Sequence, residues 1–89
     1  MADLKKLNPA QALGRLIQEK RKGNGLSQQQ VGEKLGLTRA AYASFEIGRI
    51  VPSLDHLIGI ANIIGIDVGV LIVTGQPAKS NSVQAQILV

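Results

Sequence analysis

The sequence predicts an all-α domain that is built from five short helices. Apolar residues recur at helical spacing in the first four segments, and a side chain able to cap a helix N-terminus precedes all five. Glycine follows most of the segments, as is usual at helix C-termini. Apolar residues make up 45% of the 89 residues, with Tyr42 and Phe45 as the only aromatics. We therefore expect one domain around one core of Leu, Ile and Val.

The first helix is predicted to run from Pro9 to about Lys22. Asn8 is a good capping residue, Pro9 suits the first helical position, and Gln11 lies three residues after the cap. Residues 13, 16 and 17 follow as apolar positions at helical spacing, and the run Gly-Asn-Gly at residues 23–25 ends the helix.

The second and third helices are separated by a single short turn. Ser27 is the expected cap of the second helix and Thr38 that of the third, while Gly36 in the turn suits a positive φ. Glycine inside a helix costs about 1 kcal/mol relative to alanine, so Gly32 in the second helix indicates a close approach of another backbone. Two helices joined in this way predict a helix-turn-helix motif.

The inward residues of these two helices are the apolar ones at helical spacing. The third helix, which ends at Gly48, should turn Tyr42 and Phe45 inward because they lie three residues apart on one face. Both rings are expected in the core rather than as stacking surfaces. The inward set predicted for the motif is Val31, Leu35, Leu37, Tyr42 and Phe45.

A fourth helix is predicted after Pro52-Ser53, and it ends at Gly65. Its apolar stripe consists of Leu54, Leu57, Ile58, Ala61 and Ile64. The following stretch has two interpretations: Asp67 could cap a fifth helix that ends near Val73, or the β-branched run from Val68 to Thr74 could form a strand. The helix is favoured.

A membrane span is the alternative for the apolar run of residues 57–73. The run contains Asn62 and Asp67, and it is shorter than the roughly 20 residues that a bilayer requires. We therefore expect no membrane partner.

The positive charge is concentrated in the first half of the chain. The net charge is +4, and residues 1–49 carry nine of the ten Lys and Arg residues against four acidic residues. Residues 50–89 carry Lys79 against Asp55 and Asp67. A basic half beside an apolar half suggests a surface for a polyanion and a separate packing surface. A solvated basic face explains the same charge.

The sequence contains no residue pattern that indicates an enzyme, a metal site or a cofactor. There is no Cys, which excludes disulfides and fits a reducing cytoplasm. His56 is the single histidine, and we expect it at the surface. No paired carboxylates, nucleophile with a base, or phosphate-binding glycine loop is recognisable.

The second and third helices resemble the Cro and lambda-repressor-like (XRE-type) helix-turn-helix family. The resemblance covers about residues 13–75, and the stretch FEIGRIVPSL at residues 45–54 makes it specific. The resemblance implies a five-helix, lambda-repressor-like DNA-binding domain with its helix-turn-helix formed by helices 2 and 3. The matching residues are Leu26, Ser27, Gln28, Val31, Gly32, Leu35 to Arg39, Tyr42, Phe45, Glu46, Gly48, Pro52 to Leu54, Leu57, Ala61, Ile64, Gly65, Leu71, Ile72 and Gly75.

The resemblance also implies a set of contacts to double-stranded DNA. Four positions fall where the family's recognition helix faces base edges, with arginine the commonest specific reader and alanine able to touch a thymine methyl. The others fall where the family meets the DNA backbone. For each residue the alternative is an ordinary surface role. The base-facing set is Arg39, Ala40, Ala43 and Ser44, and the backbone-facing set is Gln28, Thr38 and Arg49.

A partly buried ion pair between Arg21 and Glu46 is implied as well. The pair would tie the first helix to the end of the third. Glu46 is therefore expected to support the fold rather than contact DNA, because phosphates would repel its carboxylate.

The expected function is that of a transcriptional regulator, with repression favoured, that binds an inverted repeat as a homodimer. The expected organisation is an N-terminal arm (residues 1–8), the DNA-binding domain (9–75) and a C-terminal tail (76–89). The fifth helix and the apolar end Val83–Val89 are the expected dimer surface. One alternative is an antitoxin that binds a toxin protein and regulates its own operon; it would need a strand or extended arm from Ile66 onward. Another is a protein-interaction module that binds no DNA.

Overall fold

The computed structural model describes residues 7–76 of the chain, which form five helices and no strand. Residues 1–6 of the predicted arm and residues 77–89 of the predicted tail, including the apolar end Val83–Val89, lie outside the described residues. The helices are α1 (Pro9–Gly23), α2 (Gln28–Lys34), α3 (Arg39–Glu46), α4 (Leu54–Ile64) and α5 (Val68–Thr74).

Local capping explains where each helix begins. Asn8 and Ser27 each form a reciprocal capping box with a glutamine three residues later, and Thr38, Ser53 and Asp67 each accept a hydrogen bond from a backbone N–H of the first turn. The predicted caps are confirmed, and residues 68–74 are helical rather than a strand.

The core lies where α1 meets the other helices. α2 packs against α3, α1 packs against α3, α4 and α5, and α4 packs against α5. α5 is held by Leu71, which is fully buried although Val70 and Val73 on the same helix are exposed. The buried apolar side chains are Leu13, Ile17, Val31, Tyr42, Phe45, Leu57, Ile60, Ala61, Ile64 and Leu71.

The apolar stripe predicted for α4 is only partly correct. Leu57, Ala61 and Ile64 are buried, but Leu54 and Ile58 are exposed, and Ile60 is buried in their place. Positions 57, 60, 61 and 64 follow the i, i+3, i+4, i+7 pattern of a single helix face, and α1 and α5 cover that face.

Two glycines allow the helices to approach closely. A Cβ on Gly32 would lie 3.2 Å from the carbonyl oxygen of Leu37, which confirms the close approach predicted at this position. The tighter site is Gly14 in α1, where a Cβ would lie 2.4 Å from the carbonyl oxygens of both Phe45 and Glu46. The crossing of α1 over the end of α3 therefore requires glycine.

The helices of residues 7–76 are also short relative to a bilayer. None of them is long and apolar enough to cross a membrane.

Candidate nucleic-acid interface

The turn between α2 and α3 fixes the angle at which the two helices meet. Gly36 adopts φ +73°, and the backbone N–H of Leu37 donates a 2.8 Å hydrogen bond to the carbonyl oxygen of Gly32. Leu35 and Leu37, on either side of the glycine, are half-buried against the core. The turn is therefore anchored by packing as well as by hydrogen bonds, and it corresponds to a helix-turn-helix motif.

The two faces of α3 differ sharply in burial. Tyr42, Phe45 and Glu46 face inward and are buried, and the rings of Tyr42 and Phe45 meet edge to face at 6.1 Å between centroids. The predicted core role of both rings is confirmed. Ala40, on the opposite face, and Arg39, the first residue of the helix, are exposed.

The residues predicted to contact the DNA backbone differ in exposure. Thr38 is exposed, and its hydroxyl accepts a hydrogen bond from the Ala41 backbone N–H at 3.0 Å, so it caps α3 as predicted. Arg49 is exposed just beyond α3, with its backbone N–H donating to the carbonyl oxygen of Ser44. Gln28 and the predicted base-facing residue Ala43 are both half-buried.

Ser44 does not share the exposure predicted for it. The residue is only 7% exposed, and its hydroxyl donates to the carbonyl oxygen of Ala41 within the same helix. By the helical period Ser44 shares the outward side of Ala40, but the chain after α3 turns back there, and the backbone N–H groups of Arg49 and Ile50 donate to the Ser44 carbonyl oxygen. The Ser44 side chain is therefore not exposed for a contact to base edges, contrary to the prediction.

A buried carboxylate joins α1, α2 and α3 behind the exposed face. Oε2 of Glu46 accepts from Nε of Arg21 at 2.6 Å and from the Tyr42 hydroxyl. Oε1 accepts from Nη2 of Arg21 at 3.1 Å and from Nε2 of Gln28 at 3.0 Å. Arg21 also donates from Nη1 to the carbonyl oxygen of Leu26. The predicted Arg21–Glu46 pair is present, with each residue 6% exposed.

The charge state of this cluster follows from its hydrogen bonds. Burial by itself raises the pKa of Glu46, but the hydrogen bonds from Arg21, Tyr42 and Gln28 outweigh burial and hold the pKa below its ordinary value. The hydrogen bond to Glu46 raises the pKa of Arg21. Burial, and then the hydrogen bond to Glu46, raises the pKa of Tyr42. At neutral pH the cluster is an ion pair that a neutral tyrosine and an amide complete.

Arg39 and Arg49 are exposed cations near α3, and neither forms an ion pair within residues 7–76. Arg21–Glu46 is the one ion pair among residues 7–76, so neither Arg39 nor Arg49 has a carboxylate partner there. Two guanidinium groups are thus available to a polyanion at this surface.

The chain matches the model of a known protein family. The model is described as "Helix-turn-helix", and it matches residues 17–71, more than half of the chain and all of α2, α3 and α4. The chain belongs to the XRE-type helix-turn-helix family.

Curated relatives of this chain come from Bacillus subtilis and from a Bacillus phage. The chain is 36% identical over 59 residues to the SPbeta prophage-derived uncharacterized HTH-type transcriptional regulator YonR, and 40% identical over 52 residues to the uncharacterized HTH-type transcriptional regulator YqaE, both from Bacillus subtilis strain 168. These matches cover 66% and 58% of the chain but only 55% and 45% of the two relatives. The chain is also 40% identical over 62 residues to the ImmF control region 10 kDa protein of Bacillus phage phi105, covering 70% of the chain and 69% of that protein.

Two solved structures share the arrangement of helices. The crystal structure of the restriction-modification controller protein C.AhdI from Aeromonas hydrophila is 27% identical, with a TM-score of 0.64, and the match covers 70% of this chain and 90% of that one. A structure of the clp gene regulator ClgR from Corynebacterium glutamicum has a TM-score of 0.71 at 21% identity, covering 91% of this chain and 84% of that one. The second likeness concerns the fold alone.

Two features of the candidate interface were not predicted from the sequence. Ile47, which follows α3, is 57% exposed and continues the spacing of Ala40 and Ala43. The helical period from those two alanines leads to position 47, so the pattern could have found it. The hydrogen bond from Gln28 to Glu46 links residues 18 apart in sequence, and no local pattern indicates it.

Proposed function

We propose that the protein is a cytoplasmic, sequence-specific transcriptional regulator that inserts α3 into the major groove of double-stranded DNA. The observation that carries this proposal is the exposed side of α3, with Arg39 and Ala40, braced from behind by α2. The major groove, about 12 Å wide, admits a helix, and small side chains allow it to approach base edges. Membership of the helix-turn-helix family supports the same proposal.

The contacts divide by the chemistry of the side chains. Arg39 is the proposed base reader, with Ala40 and Ala43 against thymine methyl groups. Gln28, Thr38 and Arg49 are the proposed contacts to the DNA backbone, which orient the domain without reading sequence.

We also propose that two copies bind an inverted repeat. One domain offers a single recognition helix, whereas two related by a two-fold axis would place their helices about 34 Å apart in successive major grooves. The apolar residues Val70 and Val73 on the outer side of α5 suit self-association, because this half of the chain carries little charge. Such a dimer would exclude other proteins from the DNA that it covers, so repression is the proposed outcome.

The direct test is selection of binding sites from random duplexes with the purified protein. The proposal expects recovered duplexes that share an inverted repeat, with half-site centres separated by about one helical turn, or 10 base pairs. Recovery of no shared sequence, with binding equal to that of random DNA, would exclude sequence-specific recognition. Absence of duplex binding even at low salt would favour the protein-interaction alternative.

Arg39→Ala is expected to reduce specific binding selectively. A lost bidentate contact to guanine costs about 1–3 kcal/mol, so affinity for the selected duplex should fall about 5- to 150-fold. Affinity for a random duplex should fall far less, and fluorescence anisotropy of labelled duplexes measures both. Lys34→Ala, which removes an exposed cation from α2, is the control. Equal losses on both duplexes would exclude base reading by Arg39.

Arg49→Ala is expected to weaken binding to every sequence alike. Each cation that neutralises a phosphate releases about one counterion, so the slope of log K against log salt should become shallower by about one. Titrations at four or five salt concentrations measure this slope. An unchanged slope would remove Arg49 from the interface.

Val73→Lys is expected to convert the proposed dimer to a monomer at micromolar concentrations. Val73 is 71% exposed on α5, and a lysine there would place a charge in the proposed apolar contact. Sedimentation velocity reports the mass, with Ile50→Lys as the control at another exposed apolar residue. If the wild type is monomeric alone and on the selected duplex, the dimer proposal fails.

The antitoxin alternative required a strand or an extended arm from Ile66 onward. The described part of this region forms α5, which is packed on α1 and α4. No observation on residues 66–76 favours that alternative.

A further inference from the structure

The buried carboxylate of Glu46 has one partner that the fold does not explain. Arg21 and Tyr42 are themselves buried, so their bonds to Glu46 satisfy groups that folding removes from water. Gln28 is half-buried, at the first position of α2, and has access to water for its own hydrogen bonds. Its 3.0 Å hydrogen bond to Oε1 of Glu46 is therefore not needed to satisfy a buried amide. The bond instead fixes the position of a side chain that is partly exposed.

A carboxylate also dictates which end of the amide faces it. An ionised carboxylate only accepts hydrogen bonds, so the nitrogen of Gln28, and not its oxygen, must lie against Oε1. Hydrogen bonds and the ion pair hold the pKa of Glu46 below its ordinary value, and the carboxylate is ionised at neutral pH. One N–H of Nε2 is thus engaged, and the structure records no partner within residues 7–76 for the second N–H.

We infer that Glu46 is a positioning residue that orients the Gln28 side chain for a phosphate contact. The inference rests on the proposed DNA binding and extends it from the exposed face to the buried cluster behind it. The spare N–H of Gln28 is a donor, and a phosphate oxygen is an acceptor without any proton to offer. Holding the side chain in advance reduces the conformational entropy that binding would otherwise cost.

Glu46→Gln disturbs this orientation while keeping the size of the side chain. Oε1 and Oε2 each receive two donors, whereas the new glutamine keeps only one acceptor oxygen. If its NH₂ group takes the Oε1 side, it faces Nε2 of Gln28, donor against donor. If the NH₂ group takes the Oε2 side, the bond to Gln28 loses the charge that strengthened it, so in both arrangements the hold on Nε2 is weakened.

The test is a double-mutant cycle between positions 28 and 46, measured as DNA affinity. Glu46→Gln should weaken binding about fivefold when residue 28 is glutamine and less than twofold in the Gln28→Ala background. Because the proposed contact is to a phosphate, the loss should be equal on a random duplex and on the duplex recovered by selection. Equal losses in both backgrounds, or no loss in either, would overturn the inference. A loss confined to the selected duplex would overturn the phosphate assignment.

The chain supplies a matched control on the same helix. Nε2 of Gln29 donates to Glu33 at 3.2 Å, but both residues are exposed. The cycle of Gln29→Ala with Glu33→Gln removes the same charge and the same kind of bond. It should be additive, and Glu33→Gln should not weaken binding.

A measurement on the free wild-type protein covers the case in which Glu46→Gln does not fold. In NMR spectra, the side-chain amide protons of Gln28 should exchange with solvent more slowly than those of Gln29. Exchange at the same rate would overturn the inference without any DNA. A wild-type protein that binds no duplex would instead overturn the proposed function, and the phosphate role of Gln28 with it.

Discussion

Replacing Glu46 with alanine is expected to lower the free energy of unfolding by about 3–5 kcal/mol. The substitution leaves the guanidinium of Arg21 buried without a carboxylate, and leaves the Tyr42 hydroxyl without its acceptor. A buried charge that has lost its partner costs more than the pair contributed, because neither water nor another group replaces it. Urea unfolding followed by circular dichroism measures the change.

The control for this prediction is Glu33→Ala. Glu33 is exposed, and its carboxylate accepts a hydrogen bond from the exposed Gln29, so its removal should change stability by no more than about 0.5 kcal/mol. A similar small effect at Glu46 would show that the Arg21–Glu46 pair is not a structural requirement.

The pH dependence of the same pair has a definite sign. The pKa of Glu46 is lower in the folded state than its ordinary value of 4.5, so the unfolded state binds the proton more readily. The stabilisation is therefore fully present above pH 4.5 and is lost as the pH falls through the lowered folded-state value. The stability difference between the wild type and Glu46→Ala should shrink on acidification below pH 4.5. A difference that grows on acidification would contradict the lowered pKa.

The helices themselves could be predicted because their boundaries depend on local chemistry. The cap at Ser27 and the positive φ at Gly36 involve residues within a few positions of one another, so a short stretch of sequence contains all the information. α5 was ambiguous because Val68 to Thr74 is rich in β-branched residues. Leu71 is fully buried on this helix, which packs against α1 and α4, and tertiary contacts of this kind are absent from local patterns.

The interface could be predicted less completely because it depends on how neighbouring segments pack against α3. Ala40 and Tyr42 lie on opposite faces, and the helical period separates them without difficulty. Ser44 shares the side of Ala40, four residues earlier, but it is buried where the chain after α3 turns back and bonds to its carbonyl oxygen. The bond between Gln28 and Glu46 depends on how α2 crosses α3, which the sequence does not encode locally.

Gly14 shows the same limit for packing. Gly32 stood out because it interrupts a short helix in a recognisable motif, whereas Gly14 lies in α1 with no local signal for its role. Only the position of α1 over the end of α3 brings the carbonyl oxygens of residues 45 and 46 against its Cα.

Gly14→Ala is accordingly expected to destabilise the protein by about 3 kcal/mol, although alanine is the better helix former. The new Cβ would lie 2.4 Å from two backbone carbonyl oxygens, and no flexible side chain is available to move aside. α1 must shift away from α3, which stretches the Arg21–Glu46 bonds that join the same two helices. Thermal and urea unfolding measure the loss.

Two other helical glycines, Gly23 and Gly32, serve as comparisons for this prediction. Gly23→Ala at the other end of α1 meets nothing within 4 Å, so helix propensity should stabilise the protein by up to about 1 kcal/mol. Gly32→Ala meets carbonyl oxygens at 3.2 and 3.3 Å and should fall between the two. All three substitutions add one methyl group to a helix. The loss of stability should therefore increase in the order Gly23, Gly32, Gly14, as the distance from the new Cβ to the opposing backbone decreases. If Gly14→Ala proves as stable as Gly23→Ala, α1 does not cross α3 as closely as this fold requires.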